Sequence, residues 1–241
     1  MMKILPGRLL AAFAVLMLST TATAAPLLPG GVIFPAGDTV ITAPNTAGVV
    51  QNDNLIPFSF DITAFTNVGG DVQNRVVESN LLNTMIFSPR IRDTFNIATP
   101  GFEIIGFSLD GYGGWNTDVG YRTDGLGDKG QTSVSRSVDG DRLTFRYGDP
   151  LFISGLFGGP REESLFPYII TDAPSYALTG TMRLFGVNTA NPEELFSVEL
   201  TGLAVPSTVP EPAATLLLGT GLVGLLGMSR QRRKRTLMNQ A

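Results

Sequence analysis

The sequence predicts an all-β body, an antiparallel β-sandwich or jelly-roll-like domain, and three observations carry the prediction. Apolar and polar residues alternate at period two: Phe58, Phe60, Ile62 and Ala64 against Ser59, Asp61 and Thr63, and again Leu143, Phe145 and Tyr147 against Thr144 and Arg146. An Asp139-Gly140 pair separates the runs 131–138 and 141–147, which is the composition of a hairpin turn. Between residues 25 and 208, short apolar runs are punctuated by Gly and Pro, and long helical periods are missing.

The elements follow in chain order. Lys3 and Arg8 precede an apolar run from Leu9 to Leu18, and small residues close it with Ala22-Thr23-Ala24. This is the three-part layout of a secretory signal helix, residues 1–24, too short in its apolar part for the roughly 20 residues of a membrane span. Cleavage is expected after Ala24, with Ala22 and Ala24 presented to signal peptidase, because a cut one residue later would place Pro26 directly beyond the scissile bond.

Residues 25–208 form the expected extracellular domain. Residues 26–48 read as an extended lead-in or edge strand. Residues 71–82 tempt a helical reading, but Val72, Val76 and Val77 are β-branched, so the segment is a strand or a short helix. Two short strands, 85–87 and 91–95, are expected to pair with each other. Further strands are expected at 102–109, 151–154, 165–171, 176–185 and 196–204, with 204–208 as a linker.

Charge and composition narrow the chemistry. Lys3, Arg8 and the five basic residues of 230–235 lie at the ends, so the body keeps 20 acidic residues against 10 basic ones, a formal charge of −10. Such a body repels phosphate backbones, and nucleic acid is not an expected partner. The chain has no Cys, which excludes disulfides and thiol nucleophiles. It has no His either, which removes the usual general base, the Ser-His-Asp triad and imidazole metal sites.

The end of the chain has its own three-part order. Val209-Pro210-Glu211-Pro212 leads into an apolar stretch, 213–228, and then into Arg230, Arg232, Arg233, Lys234 and Arg235. As a helix, 213–228 is about 24 Å long, slightly short of a hydrocarbon core of about 30 Å, a gap that flanking residues or local thinning closes. A single transmembrane helix is expected there, and the basic cluster holds its end on the cytoplasmic side. Thr220, Gly224 and Gly227 share one helix face, where another helix or an enzyme can approach closely.

With V-P-E-P, a Gly- and Leu-rich helix and an R-x-R-R-K-R end in sequence, residues 209–235 resemble the PEP-CTERM sorting tail, also known as the ice-binding protein C-terminal domain. The resemblance implies that Pro210, Glu211 and Pro212 form a sorting motif read by an exosortase in a Gram-negative bacterium that makes exopolysaccharide. It implies transient retention in the inner membrane, with the basic cluster as stop-transfer, and then release to the cell surface or extracellular matrix. The body lacks regular Thr-x-Thr arrays, and ice binding is not expected.

Inside the body, the most unusual stretch runs from Asp110 to Asp118 and continues to Asp124–Asp128. Asp110, Asp118, Asp124 and Asp128 among flexible glycines have the oxygen chemistry of a Ca²⁺ site, and no other cofactor is expected. Trp115, with Tyr112 and Tyr121 nearby, has the ring surface to stack on a sugar. The spacing fits neither an EF-hand nor a glycine-aspartate β-roll, so a long solvated loop is the preferred reading. Glu162-Glu163 reads as a solvated turn, since neighbouring side chains on a strand point apart and no acid partner is evident.

Function is therefore expected to be structural or adhesive and noncatalytic. A carbohydrate-binding module using the 110–128 loop is the alternative, and a carboxylate-based enzyme acting on extracellular polysaccharide is a third reading.

Overall fold

The computed structural model describes residues 24–63, 66–97, 101–155 and 158–208. The expected signal helix with Ala22, residue Ala64, the sorting motif, the expected transmembrane helix and the basic cluster lie outside the described residues. No helix among the described residues is long and apolar enough to cross a membrane.

The body is all-β. Its strands are β1 (Ala25–Pro26), β2 (Val32–Ile33), β3 (Gly37–Asp38), β4 (Gly48–Thr63), β5 (Thr66–Ser79), β6 (Met85–Asn96), β7 (Phe102–Asp110), β8 (Thr117–Arg122), β9 (Ser133–Arg136), β10 (Leu143–Ile153), β11 (Phe166–Thr171), β12 (Ser175–Asn188) and β13 (Asn191–Ser207). A seven-stranded sheet has the order β1-β8-β11-β6-β5-β4 with β3 beside β8, and a six-stranded sheet has the order β13-β12-β7-β10-β9-β2. All pairings are antiparallel except the two-residue β3–β8 contact.

Period two decides which face each strand buries. Val72 and Val76 of β5, Phe87 and Ile91 of β6, and Val119 of β8 point inward from one sheet; Phe107, Phe145 and Leu184 meet them from the other, in one continuous core. Phe60 and Phe102 join the sheets across the core with ring centroids 5.0 Å apart. Asn74, 2 % exposed, also faces inward: its Nδ2 donates to Gly202 O and its Oδ1 accepts from Ala204 N, tying β5 to the edge strand β13. This is a β-sandwich, as predicted.

The differences from expectation have local causes. Residues 85–87 and 91–95 do not pair with each other, for Pro89 does not break the run and both belong to β6. Beyond Phe87 the neighbouring β11 has left the sheet register, and Ile91 N, on the side that Pro89 also faces, is met by Ser164 Oγ at 2.8 Å. Segment 71–82 is strand β5 as far as Ser79 and then a turn. The expected linker 204–208 is mostly the end of β13, with Ala204 and Val205 buried.

The predicted 110–128 loop is also interrupted. Its middle forms β8, held between β1 and β11 through Ala25↔Val119 and Ile169↔Val119. The Asp139-Gly140 hairpin is present as β9–β10, but its turn is longer than two residues. Ser137 N donates to Arg142 O, and Gly140 takes the left-handed conformation (φ 78°).

Candidate functional site

The loops 111–116, 137–142 and 172–174 gather at the end of the sandwich where β13 finishes, since Ser207 pairs with Ser175. Tyr112 N donates to Asp141 O, Asn116 binds the Asp172 carboxylate through its backbone and side chain, and Arg142 forms a two-bond ion pair with Asp110 at 2.6 and 2.9 Å. Between these loops and the lead-in 26–29 lies a cavity of about 440 Å³ lined by Trp115, Asn116, Asp118 and Asp139, among others.

Arg136 organises that cavity from beneath. It is 6 % exposed, and it donates to five oxygens: Gly140 O, Leu27 O, Thr117 Oγ1, Tyr112 O and Trp115 O, all at 2.8–3.0 Å. Burial draws its pKa down, with Asp141 opposing. Among the described residues no carboxylate hydrogen-bonds it, and the charge is held by carbonyl dipoles and a hydroxyl. Sequence reasoning missed this residue, because one Arg in a short strand carries no pattern.

The candidate sugar-stacking rings occupy three different environments. Tyr112 is buried, edge-on to Phe87 at 5.8 Å, and burial pushes its hydroxyl pKa up; its ring is core rather than a sugar platform. Tyr121 is half-buried, and its ring lies so close over Gly37 and Gly130 that a side chain at either would collide with it. Trp115 is half-buried on the cavity wall. Of the three, only Trp115 lines this cavity.

The candidate Ca²⁺ ligands are dispersed. Asp110 serves Arg142, which holds its pKa low; Asp124 serves Arg122, at 2.6 and 2.9 Å, with the same effect; Asp128 accepts from Glu163 N. Asp118 pairs in register with Pro26 and Ile170, and burial raises its pKa. Among the described residues no group of three or more acidic side chains is placed to hold a metal ion.

Glu162 and Glu163 are half-buried ties rather than a solvated turn. Glu162 binds Lys129 Nζ at 2.7 Å and accepts from Phe152 N, while Glu163 binds Arg90 and accepts from Asp93 N at 2.7 Å. The two carboxylates face different partners.

Residues 208–233 match the family model for the PEP-CTERM protein-sorting motif, beginning one residue before Val209 and ending at Arg233, so that Lys234 and Arg235 fall just beyond it. No curated protein and no solved structure matches the chain.

Proposed function

We propose that the chain bearing this sorting motif is an exported precursor that an exosortase processes, and that its sandwich acts as a noncatalytic structural or adhesive element of the cell surface or exopolysaccharide matrix. The observation that carries the reading is the junction at Ser207. The matched segment begins at Thr208, directly after the last paired residue of the sandwich, so in sequence no linker separates the body from the sorting motif. A cut after Ala24 leaves Ala25, the first residue of β1, as the new amino terminus.

The absence of His and Cys from the whole chain supports the noncatalytic part. The adjacent Glu162 and Glu163 carboxylates are committed to Lys129 and Arg90. A second reading, saccharide binding at the Trp115 cavity, is favoured by that ring's place on an open cavity wall.

Replacing Pro210 and Glu211 by Ala in a host with an exosortase is expected to leave the full-length precursor uncut in the inner membrane, while wild type is shortened and leaves it. Identical processing of the two would refute the sorting role. Loss of a saturable sugar isotherm on Trp115→Ala would replace the structural reading with the second.

A further inference from the structure

Four of the ten basic residues of the acidic body stand on one face: Arg75 on β5, Arg90 and Arg92 on β6, and Arg122 on β8. Their strand neighbours Val72, Val76, Ile91 and Val119 point into the core, which places the arginines on the outer side of the seven-stranded sheet. Arg75, Arg92 and Arg122 wall a cleft of about 360 Å³ that also takes in Gln73, Ser88 and Phe166. That volume lies within the range of small-ligand sites.

Most of this wall is fixed in place. Arg75 is clamped by Asp53 through two bonds of 2.9 Å, and Arg122 by Asp124 and by Thr46 Oγ1. The guanidinium carbons of Arg75 and Arg90 lie 4.4 and 5.2 Å from the centre of the Phe166 ring.

Two polar groups of the wall are unsatisfied. Gln73 is 5 % exposed; its Nε2 donates to Asp53, but its buried Oε1 has no hydrogen-bond partner among the described residues. Arg92 has the Asp93 carboxylate 2.7 Å from its Nε at an angle that makes no hydrogen bond, and that nitrogen is buried. A buried polar atom without a partner has lost its water and gained nothing in exchange, so a ligand that meets it recovers that loss. The backbone beside Arg92 is also strained: Asp93 is left-handed (φ 50°) at a bulge opposite Gly70, and Glu163 Oε1 accepts its N–H.

We propose that this cleft binds an acidic saccharide, with a sugar carboxylate on Arg92 and Arg75 and a ring hydroxyl donating to Gln73 Oε1. The pairing follows from what the two orphans need. Arg92 needs an acceptor and Gln73 a donor; an ionised carboxylate alone accepts but does not donate. A sugar acid carries both on one ring, and the hydroxyl of Ser88 extends the same chemistry. An acidic peptide fits less well, for β5 is paired on both sides, and beyond Phe87 the side of β6 that β11 leaves is covered by Ser164 and Glu163, so no edge is open there for strand addition.

The test is calorimetric titration of the full chain, in neutral detergent, with trigalacturonate, neutral galactotriose, poly-glutamate and inorganic phosphate. Trigalacturonate is expected to give a saturable isotherm that weakens with salt and falls at least tenfold in Arg92→Gln and in Gln73→Leu. Arg183→Gln, on the other sheet, is expected to leave it unchanged. Arg92 is one-third exposed, so Arg92→Gln keeps the fold, and an unchanged denaturation midpoint verifies this. No saturable isotherm, equal affinity for galactotriose, poly-glutamate or phosphate, or an unaffected Arg92→Gln would each overturn the proposal. Processing of the tail does not enter this measurement, so it stands or falls apart from the sorting role.

Discussion

Arg136 Nη2 donates to the carbonyl of Trp115 at 2.8 Å, so the ring that lines the end cavity is positioned by a cation buried beneath it. The same guanidinium reaches the lead-in at Leu27 and the hairpin at Gly140, three chain segments held by one side chain. Arg136→Met is expected to leave several carbonyls unsatisfied and to destabilise the fold by at least about 3 kcal/mol. Arg136→Lys, with three donors and no planar fork, is expected to recover only part of this. Urea unfolding of the full chain measures both, and a loss under 1 kcal/mol for the Met variant would contradict the assignment.

Asn74 makes the corresponding tie between the sheets. Asn74→Ala strands the N–H of Ala204 and the carbonyl of Gly202 inside the core, with an expected loss of about 1–3 kcal/mol. Hydrogen exchange locates the effect. The Ala204 amide is expected to lose protection while amides at the centre of β6 keep theirs.

The Asp110–Arg142 pair makes a pH-dependent contribution of known sign. Arg142 lowers the folded-state pKa of Asp110, so the stabilisation is present above the unfolded carboxylate value of about 3.9 and is lost as pH falls through the folded value. Arg142 is more than half exposed, so solvent screens the pair and holds it to about 0.5–1 kcal/mol. Arg142→Gln is expected to be less stable than wild type by that amount at pH 7 and equally stable at about pH 2. A difference that persists at acid pH would assign the effect to packing instead.

Val205 sets the boundary of the domain. A chain ended after Leu203, near where composition suggests a linker, loses the buried Ala204 and Val205; it is expected to be at least about 2 kcal/mol less stable than one ended after Ser207. Comparison of their urea midpoints decides this.

What was legible in the sequence was whatever a local pattern encodes. The alternation at Phe58–Ile62 and Leu143–Tyr147 marks faces of β4 and β10, while the β-branched Val72, Val76 and Val77 left 71–82 open between a strand and a short helix, and the structure makes most of it β5. What was not legible depends on distant partners. Nothing near Tyr112 shows that Phe87 will cover it, and β8 looks like loop because its Gly, Asp and Thr residues become strand only between β1 and β11. The outer arginines are scattered from 75 to 122, and only the sheet brings them to one cleft. Pro206 and Ser207 resemble a linker until β12 pairs with them.

The pairing of Ala25 with Val119 has a kinetic corollary. A polypeptide threaded through a pore amino end first delivers β1 about ninety residues ahead of its mate, and that wait keeps the leading stretch pliable while the rest follows. Closure of this edge is postponed until β8 arrives, a schedule that suits the export proposed above.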